Sequence, residues 1–276
     1  MKVYYDNGRN GPDGFIYVAS RTPLYYELGC FSAQSMRDCH PDANITLFTH
    51  EKFLDSRAEQ LFDKVIVDIP IHIRTKMWAM ARTPYTRTIY IDCDSCIRHK
   101  DIRIMHDLMN GHDMFFCGCL AYTVADFKWA YMDIARKHEP KYHGALCGYW
   151  NTPLNIEFMQ TWFDAYVKQR TTKWPFGDKH YKEWQQFDMF TLWRMTNGTD
   201  EEFKQFNDLS INLIPRRWNT TPQDFEQELD GRPVITQIDK MFWRKLPDWP
   251  AIEKRYSDEK RQVKVRSVTD PIIEYN

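Results

Sequence analysis

Short apolar runs rich in Ile, Val, Phe and Tyr alternate along the first third of the chain with longer stretches of mixed polarity. "GFIYVAS" (14–20), "ANITLFTH" (43–50), "DKVIVDI" (63–69) and "RTIYIDCD" (87–94) read as strands. Between them, "TPLYYELGCFSAQSMRDC" opens on Thr-Pro and carries helical apolar spacing, "DSRAEQLF" is polar and helical, and "IRTKMWAMARTPY" reads as a helix stopped near Pro84. Strands alternating with helices predict an α/β fold with a mixed, mostly parallel sheet flanked by helices. Further on, "DIRIMHDLM", "TVADFKWAYMDIARK", "LNIEFMQTWFDAYVKQ" and "YKEWQQFDMFTLWRM" read as helices and "HDMFFCGC" and "SINLIP" as strands, while "HGALCGYWN" reads as strand or loop. The pattern weakens after 215 and the end is highly charged. This predicts a main domain over 1–215 and an extension over 216–276 packed on the same domain.

Charge removes some partners from consideration. Thirty-seven basic residues against 38 acidic ones leave a net charge of -1, which gives no electrostatic footprint for nucleic acid or an anionic membrane. No run approaches the ~18 apolar residues of a membrane span, and the polar start fits no signal peptide, so a soluble cytoplasmic protein is expected. Aromatic residues make up 15% of the chain, including ten tryptophans, enough to line grooves for flat ligands as well as fill a core. Trp150, Trp184 and Trp218 are candidates for an acceptor groove. The seven cysteines, odd in number and mostly within apolar runs, read as buried free thiols. A zinc site from Cys93-x-x-Cys96 and Cys117-x-Cys119 is the alternative.

The chemistry concentrates at the end of the fourth run. In a strand, alternate side chains share a face, so Tyr90, Asp92 and Asp94 point one way while Ile89 and Ile91 point the other. Two carboxylates meeting at the carboxyl edge of an α/β sheet, where such folds bind ligands, repel unless a cation lies between them. Mn²⁺ or Mg²⁺ would supply that charge and bridge to a diphosphate. The competing interpretation is plain turn chemistry, since Asp-x-Asp-Ser also suits a tight turn.

At this point the sequence resembles nucleotide-sugar glycosyltransferases of the GT-A fold, particularly the glycogenin-like and bacterial galactosyltransferase group. "FIYVAS" is similar to that fold's first strand, and "KMWAMARTPYTRTIYIDCDSCI" to its lysine helix, turn, strand and Asp-x-Asp. "HGALCGYWNT" resembles the glycine-bearing loop under the donor sugar, "WQQFDMF" the Asp-Gln segment, "LIPRRWN" the Leu-Pro-x-x-Tyr-Asn segment, and "VITQIDKMFW" the closing segment. The resemblance covers 15–243 and implies a metal-dependent transfer from a nucleoside-diphosphate sugar, uridine-based, to a glycan or glycoprotein acceptor or another hydroxyl. It implies metal ligation by Asp92 and Asp94, with Asp92 also near the ribose and Cys93 between them in the donor site. It further implies base binding at Val18, Ala19 and Ser20 with Tyr25 as a stacking ring. Lys76 becomes the phosphate contact, with Arg74 and Arg82 as alternatives, and His143 and Gly144 lie by the sugar. Two positions depart from the family. Gln237 stands where a third metal ligand, histidine, is expected, and Gln185-Gln186 replaces Asp-Gln, leaving Gln186 and the nearby acid Asp188 as the catalytic candidates. The group favours retention of configuration.

Two rivals remain at this stage. A haloacid-dehalogenase-like phosphatase also carries a strand-end Asp-x-Asp, but on the first strand of its domain, with Thr or Val two residues on, where this chain has Cys96. A non-catalytic sugar-binding module of the same fold would fit the missing histidine at 237.

Overall fold

The computed structural model describes residues 1–9, 11–118, 142–171, 187–196, 200–220 and 232–237. An eight-stranded sheet has the order β1-β4-β3-β2-β5-β8-β7-β9, with β1 Lys2–Asp6, β2 Asp13–Ala19, β3 Ile45–Thr49, β4 Lys64–Val67, β5 Arg87–Ile91, β7 Met114–Gly118, β8 Tyr142–Trp150 and β9 Ile211–Ile214. Strands β2, β3, β4 and β5 are mutually parallel, β7 and β9 pair in parallel, and β1 and β8 run against their neighbours. The mixed, mostly parallel sheet matches the alternation of the sequence pattern.

Strand periodicity builds two cores, one on each face of the sheet. In β2, Phe15, Tyr17 and Ala19 face the core under α1 (Pro23–Cys39), while Ile16 and Val18 face the opposite core. That second core lies under α3 (Thr75–Met80), α4 (Pro153–Thr171) and α5 (Asp188–Thr196). A shorter helix, α2 (Arg57–Leu61), links β3 to β4. Thr152 caps α4, its hydroxyl accepting from the Asn155 amide at 3.2 Å, and Pro153 supplies the preset φ of a first helical residue.

Several elements differ from expectation. β1 falls in the polar N-terminal segment: Val3 and Tyr4 are exposed, so no buried periodicity marks it, and its pairing with β4 defines it instead. "DIRIMHDLM" forms a 3₁₀ segment, Lys100–Met109, not an α-helix. The helix of "IRTKMWAMARTPY" is only six residues long. Of the two readings of "HGALCGYWN", strand or loop, the structure takes the strand: all but its last residue lie in the nine-residue β8, between β5 and β7. The helix expected from "TVADFKWAYMDIARK", and most of the extension after 220, lie outside the described residues. Within that extension β10 (Ile235–Gln237) pairs antiparallel with β6 (Ser95–Ile97), placing Gln237 opposite Ser95. No described helix is long and apolar enough to cross a membrane.

Candidate functional site

Strand β5 ends at Ile91, and the Asp92 amide still donates to the Ala145 carbonyl of β8 at 2.9 Å. Cys93 and Asp94 then turn the chain into β6. The Asp-x-Asp is therefore both the turn and the rim of a cleft. The Tyr90 hydroxyl donates to Asp92 Oδ1, as the strand alternation implies. Lys76 Nζ reaches the same oxygen at 3.4 Å and donates to the Gly144 carbonyl at 2.7 Å.

Behind this pair lies Asp188, 4% exposed, with Oδ2 3.4 Å from Lys76 Nζ and Oδ1 3.2 Å from Arg74 Nε. Helix α4 fixes Asp188 in place: Trp162 Nε1 donates to its carbonyl at 2.9 Å, and Gln169 donates to the preceding carbonyl of Phe187 at 3.1 Å. Gly144 lets these groups converge. A Cβ there would sit 3.2 Å from the Trp162 ring and 3.3 Å from Asp188 Oδ2.

The electrostatics follow from burial and spacing. Burial, then the adjacent Asp92 charge, pushes Asp94 up to about 7 against the pull of Lys76. For Asp188, burial alone would raise the pKa, but the charges of Arg74 and Lys76 outweigh it and hold the carboxyl below its ordinary value. Burial works against the Lys76 ammonium, yet Asp92 and then Asp188 keep it above its ordinary value.

The cleft is lined by Val18, Ser20, Tyr25, Lys76, Asp92 and Asp94, among others, and encloses about 110 Å³. Small-molecule sites span roughly 300–1,000 Å³, so this cleft has room for only part of a ligand of that size. The structure thus brings together most of the residues singled out from the sequence. Ala19 is fully buried and its carbonyl accepts from Thr49 Oγ1 at 2.9 Å. Cys93 is at the wall, its thiol directed to the Val18 carbonyl at 3.4 Å. The His143 ring accepts from the Ala145 amide at 3.3 Å. Arg82 lies elsewhere, stacked over Trp78 and bound to Gln160 at 2.7 Å. Trp150 pairs in register with Arg87, at the opposite end of β5 from Asp92, and Trp218 is 4% exposed, so neither is an open groove floor. Gln186 and Trp184 lie outside the described residues. Arg21 and Ile73 also line the cleft without having been singled out, and Arg21 takes a left-handed φ of 76° that no residue pattern announced.

The donor set suits a hard divalent cation. Asp92 and Asp94 both line the cleft, and burial followed by the charge of Asp92 raises Asp94, a penalty that a cation between them would relieve. Mg²⁺-type sites need only one or two carboxylates when phosphate oxygens and water complete the shell. Among the described residues no three His, Cys, Asp or Glu side chains cluster to hold a metal by themselves; Cys119 of the four-cysteine zinc arrangement lies outside the described residues. Gln237 approaches the end of β6 beside Asp94 through its register with Ser95.

No protein-family model and no curated protein matches the chain. Solved structures do. GlyE, a glycosyltransferase of Streptococcus pneumoniae TIGR4, superposes with a TM-score of 0.53 at 12% identity over 92% of this chain and 66% of its own. The galactosyltransferase LgtC, solved with donor and acceptor sugar analogues, gives a TM-score of 0.44 at 12% identity over 92% and 97% of the two chains. A glycosyltransferase involved in the glycosylation of the major capsid of PBCV-1 gives a TM-score of 0.44 at 8% identity over 91% of this chain.

Proposed function

We propose that this chain, which has the GT-A fold of glycosyltransferases, transfers a sugar from a nucleoside-diphosphate sugar, uridine-based, to a glycan or other hydroxyl acceptor. The observation that carries the reading is the meeting of Asp92, Asp94 and Lys76 at the carboxyl end of β5, inside a cleft whose next wall is the end of β2. Ligands of open α/β sheets lie at that edge.

Asp92 and Asp94 would hold Mn²⁺ or Mg²⁺, with the Gln237 carboxamide as a further oxygen. The bound ion supplies charge neutralisation for the departing diphosphate. The remaining work falls to the chain's own groups. Lys76, tied to the Gly144 carbonyl and to two carboxylates, holds a fixed cation at the phosphates without needing to reorganise. Ser20 and Tyr25 present a polar group and an aromatic face at the end of β2, where a base would lie. Asp188 serves as counter-ion to Lys76 and Arg74. A carboxyl held below its ordinary pKa by two cations is a poor proton acceptor, so we assign it a positioning role, not that of an acceptor base.

The phosphatase alternative requires its aspartate free as a nucleophile on the first strand, whereas Asp92 carries Tyr90 and Lys76 on the fifth. The test is thermal unfolding with Mn²⁺, with UDP, and with both, followed by donor hydrolysis. A ligand selective for the folded state raises Tm. Wild-type protein should shift only weakly with either alone and strongly with the two together, and Asp94→Asn should lose the joint shift. A Tm unmoved by Mn²⁺ with UDP or any other nucleoside diphosphate would sink the reading. Joint binding without turnover would mark a sugar-binding module.

A further inference from the structure

Strand order divides the two ends of any ligand centred on Asp92 and Asp94. β5 is flanked by β2 on one side and β8 on the other. On the β2 side the cleft offers Tyr25 and Ser20. On the β8 side Gly144 gives its carbonyl to Lys76, and the neighbouring residue, His143, meets Asn219. Asn219 follows β9 and a 3₁₀ turn, Arg216–Trp218, at the same carboxyl edge: His143 pairs with Cys117 of β7, and Cys117 pairs with Ile214 of β9.

Asn219 is 2% exposed, and its Oδ1 has no hydrogen-bond partner among the described residues. Its Nδ2 lies 3.2 Å from His143 Nδ1. The Ala145 amide also donates to that nitrogen, so Nδ1 is an acceptor and Asn219 presents its amide hydrogens to the ring. This orientation commits Oδ1 to be the unpaired atom. A buried carbonyl oxygen left without a donor is destabilising. Asn219 does not line the cleft itself, but its partner His143 precedes Gly144, whose carbonyl holds the cleft's Lys76, and this connection points to a donor brought by a ligand that extends past Lys76.

We propose that Asn219 Oδ1 accepts a sugar hydroxyl, with His143 holding the carboxamide in register, and so acts as a specificity-determining residue on the β8 side of the site. This rests on the glycosyltransferase reading and names the group that reads the sugar. A hydroxyl, the substituent every sugar carries, can donate a hydrogen bond to such an uncharged acceptor. The hydroxyl belongs either to the donor sugar or to the acceptor, and the experiment separates them.

Asn219→Ala and Asn219→Asp are compared with wild type for binding of UDP with Mn²⁺, for binding of UDP-glucose, UDP-galactose and UDP-N-acetylglucosamine with Mn²⁺, for donor hydrolysis, and for transfer to simple sugar acceptors. UDP–Mn²⁺ affinity within about twofold of wild type reports a folded site. On that background Asn219→Ala should lose about tenfold in sugar-dependent affinity or hydrolysis if the hydroxyl is the donor's. It should leave hydrolysis intact and lose about tenfold in transfer if the hydroxyl is the acceptor's. Asn219→Asp, which keeps an oxygen acceptor, should retain more than Asn219→Ala in the affected step. An Asn219→Ala protein that binds UDP–Mn²⁺ yet matches wild type in both steps overturns the inference alone. Loss of UDP–Mn²⁺ affinity in both variants would assign Asn219 to the structure of the site and overturn it too. Wild-type protein that fails to bind UDP–Mn²⁺ instead removes the reading on which the inference stands.

Discussion

Asp188, 4% exposed between Arg74 and Lys76, is worth most when one asks what its removal would leave. Two cations would remain, Lys76 buried and Arg74 27% exposed, with only Asp92 near Lys76. Breaking a buried ion pair from one side costs about 3–5 kcal/mol, because the uncompensated charge cannot return to water. Asp188→Ala should therefore lower stability by that order in urea unfolding, and adding Lys76→Met should recover part of it. A cost under about 1 kcal/mol would mean that the cluster opens to solvent. Gly144 makes a complementary case. Its missing Cβ is the space that Trp162 and Asp188 occupy, at 3.2 and 3.3 Å. Gly144→Ala should cost about 1–3 kcal/mol by overpacking and depress activity further, since the same residue carries the Lys76 acceptor.

At the scale of elements, β10 decides whether Gln237 takes part in the metal site. It pairs with β6 so that Gln237 faces Ser95, one residue from Asp94, and its amide donates to the Thr220 carbonyl at 2.8 Å. The backbone position is thus fixed by pairing while the side chain remains free to change chemistry. Gln237→His should tighten Mn²⁺ by offering an imidazole nitrogen in place of a weak carboxamide, and Gln237→Ala should loosen it. Titration of Mn²⁺ by electron paramagnetic resonance reads both, and equal affinity in all three proteins would remove Gln237 from the metal shell. Elements also explain what the chain revealed on inspection. The alternation Ile89-Tyr90-Ile91-Asp92 was enough to place Tyr90 beside Asp92, because a two-residue period is set by backbone geometry alone. Lys76 was legible only as a candidate, since its partner Gly144 lies 68 residues away and nothing local announces that contact. β1 was missed because an edge strand with exposed Val3 and Tyr4 lacks the buried face that marks a strand. Asn219 stood in a quoted segment, but an unpaired carbonyl is a property of packing, invisible before the chain is folded.

For the molecule as a whole, stability should fall in mild acid because three histidines, His50 and His106 buried and His72 half-buried, are held neutral. His50, His72 and His106 are each held down to about 4, burial being the first cause in every case. For His72 the charges of Arg170, Arg74 and Arg21 add to burial, while for His106 the Asp13 carboxylate and the Gly14 carbonyl oppose it. The unfolded chain takes up protons on these side chains near pH ~6.5, and the folded chain resists until about 4. The stabilisation is therefore complete above ~6.5 and is lost as pH falls through the window down to about 4. Asp94 acts with the opposite sign. Raised to about 7, it binds a proton in the folded state that the unfolded chain releases, so its contribution grows as pH falls and offsets one histidine. The balance is an uptake of about two protons on unfolding, or a slope of about 2–3 kcal/mol per pH unit at its steepest. Urea unfolding between pH 7.5 and 4.5 checks this, and substituting His106 with Gln should flatten the curve by about one proton's share if the protein still folds. A flat profile across that interval would require the three rings to be solvated in the folded protein, which their positions in and against the two cores oppose.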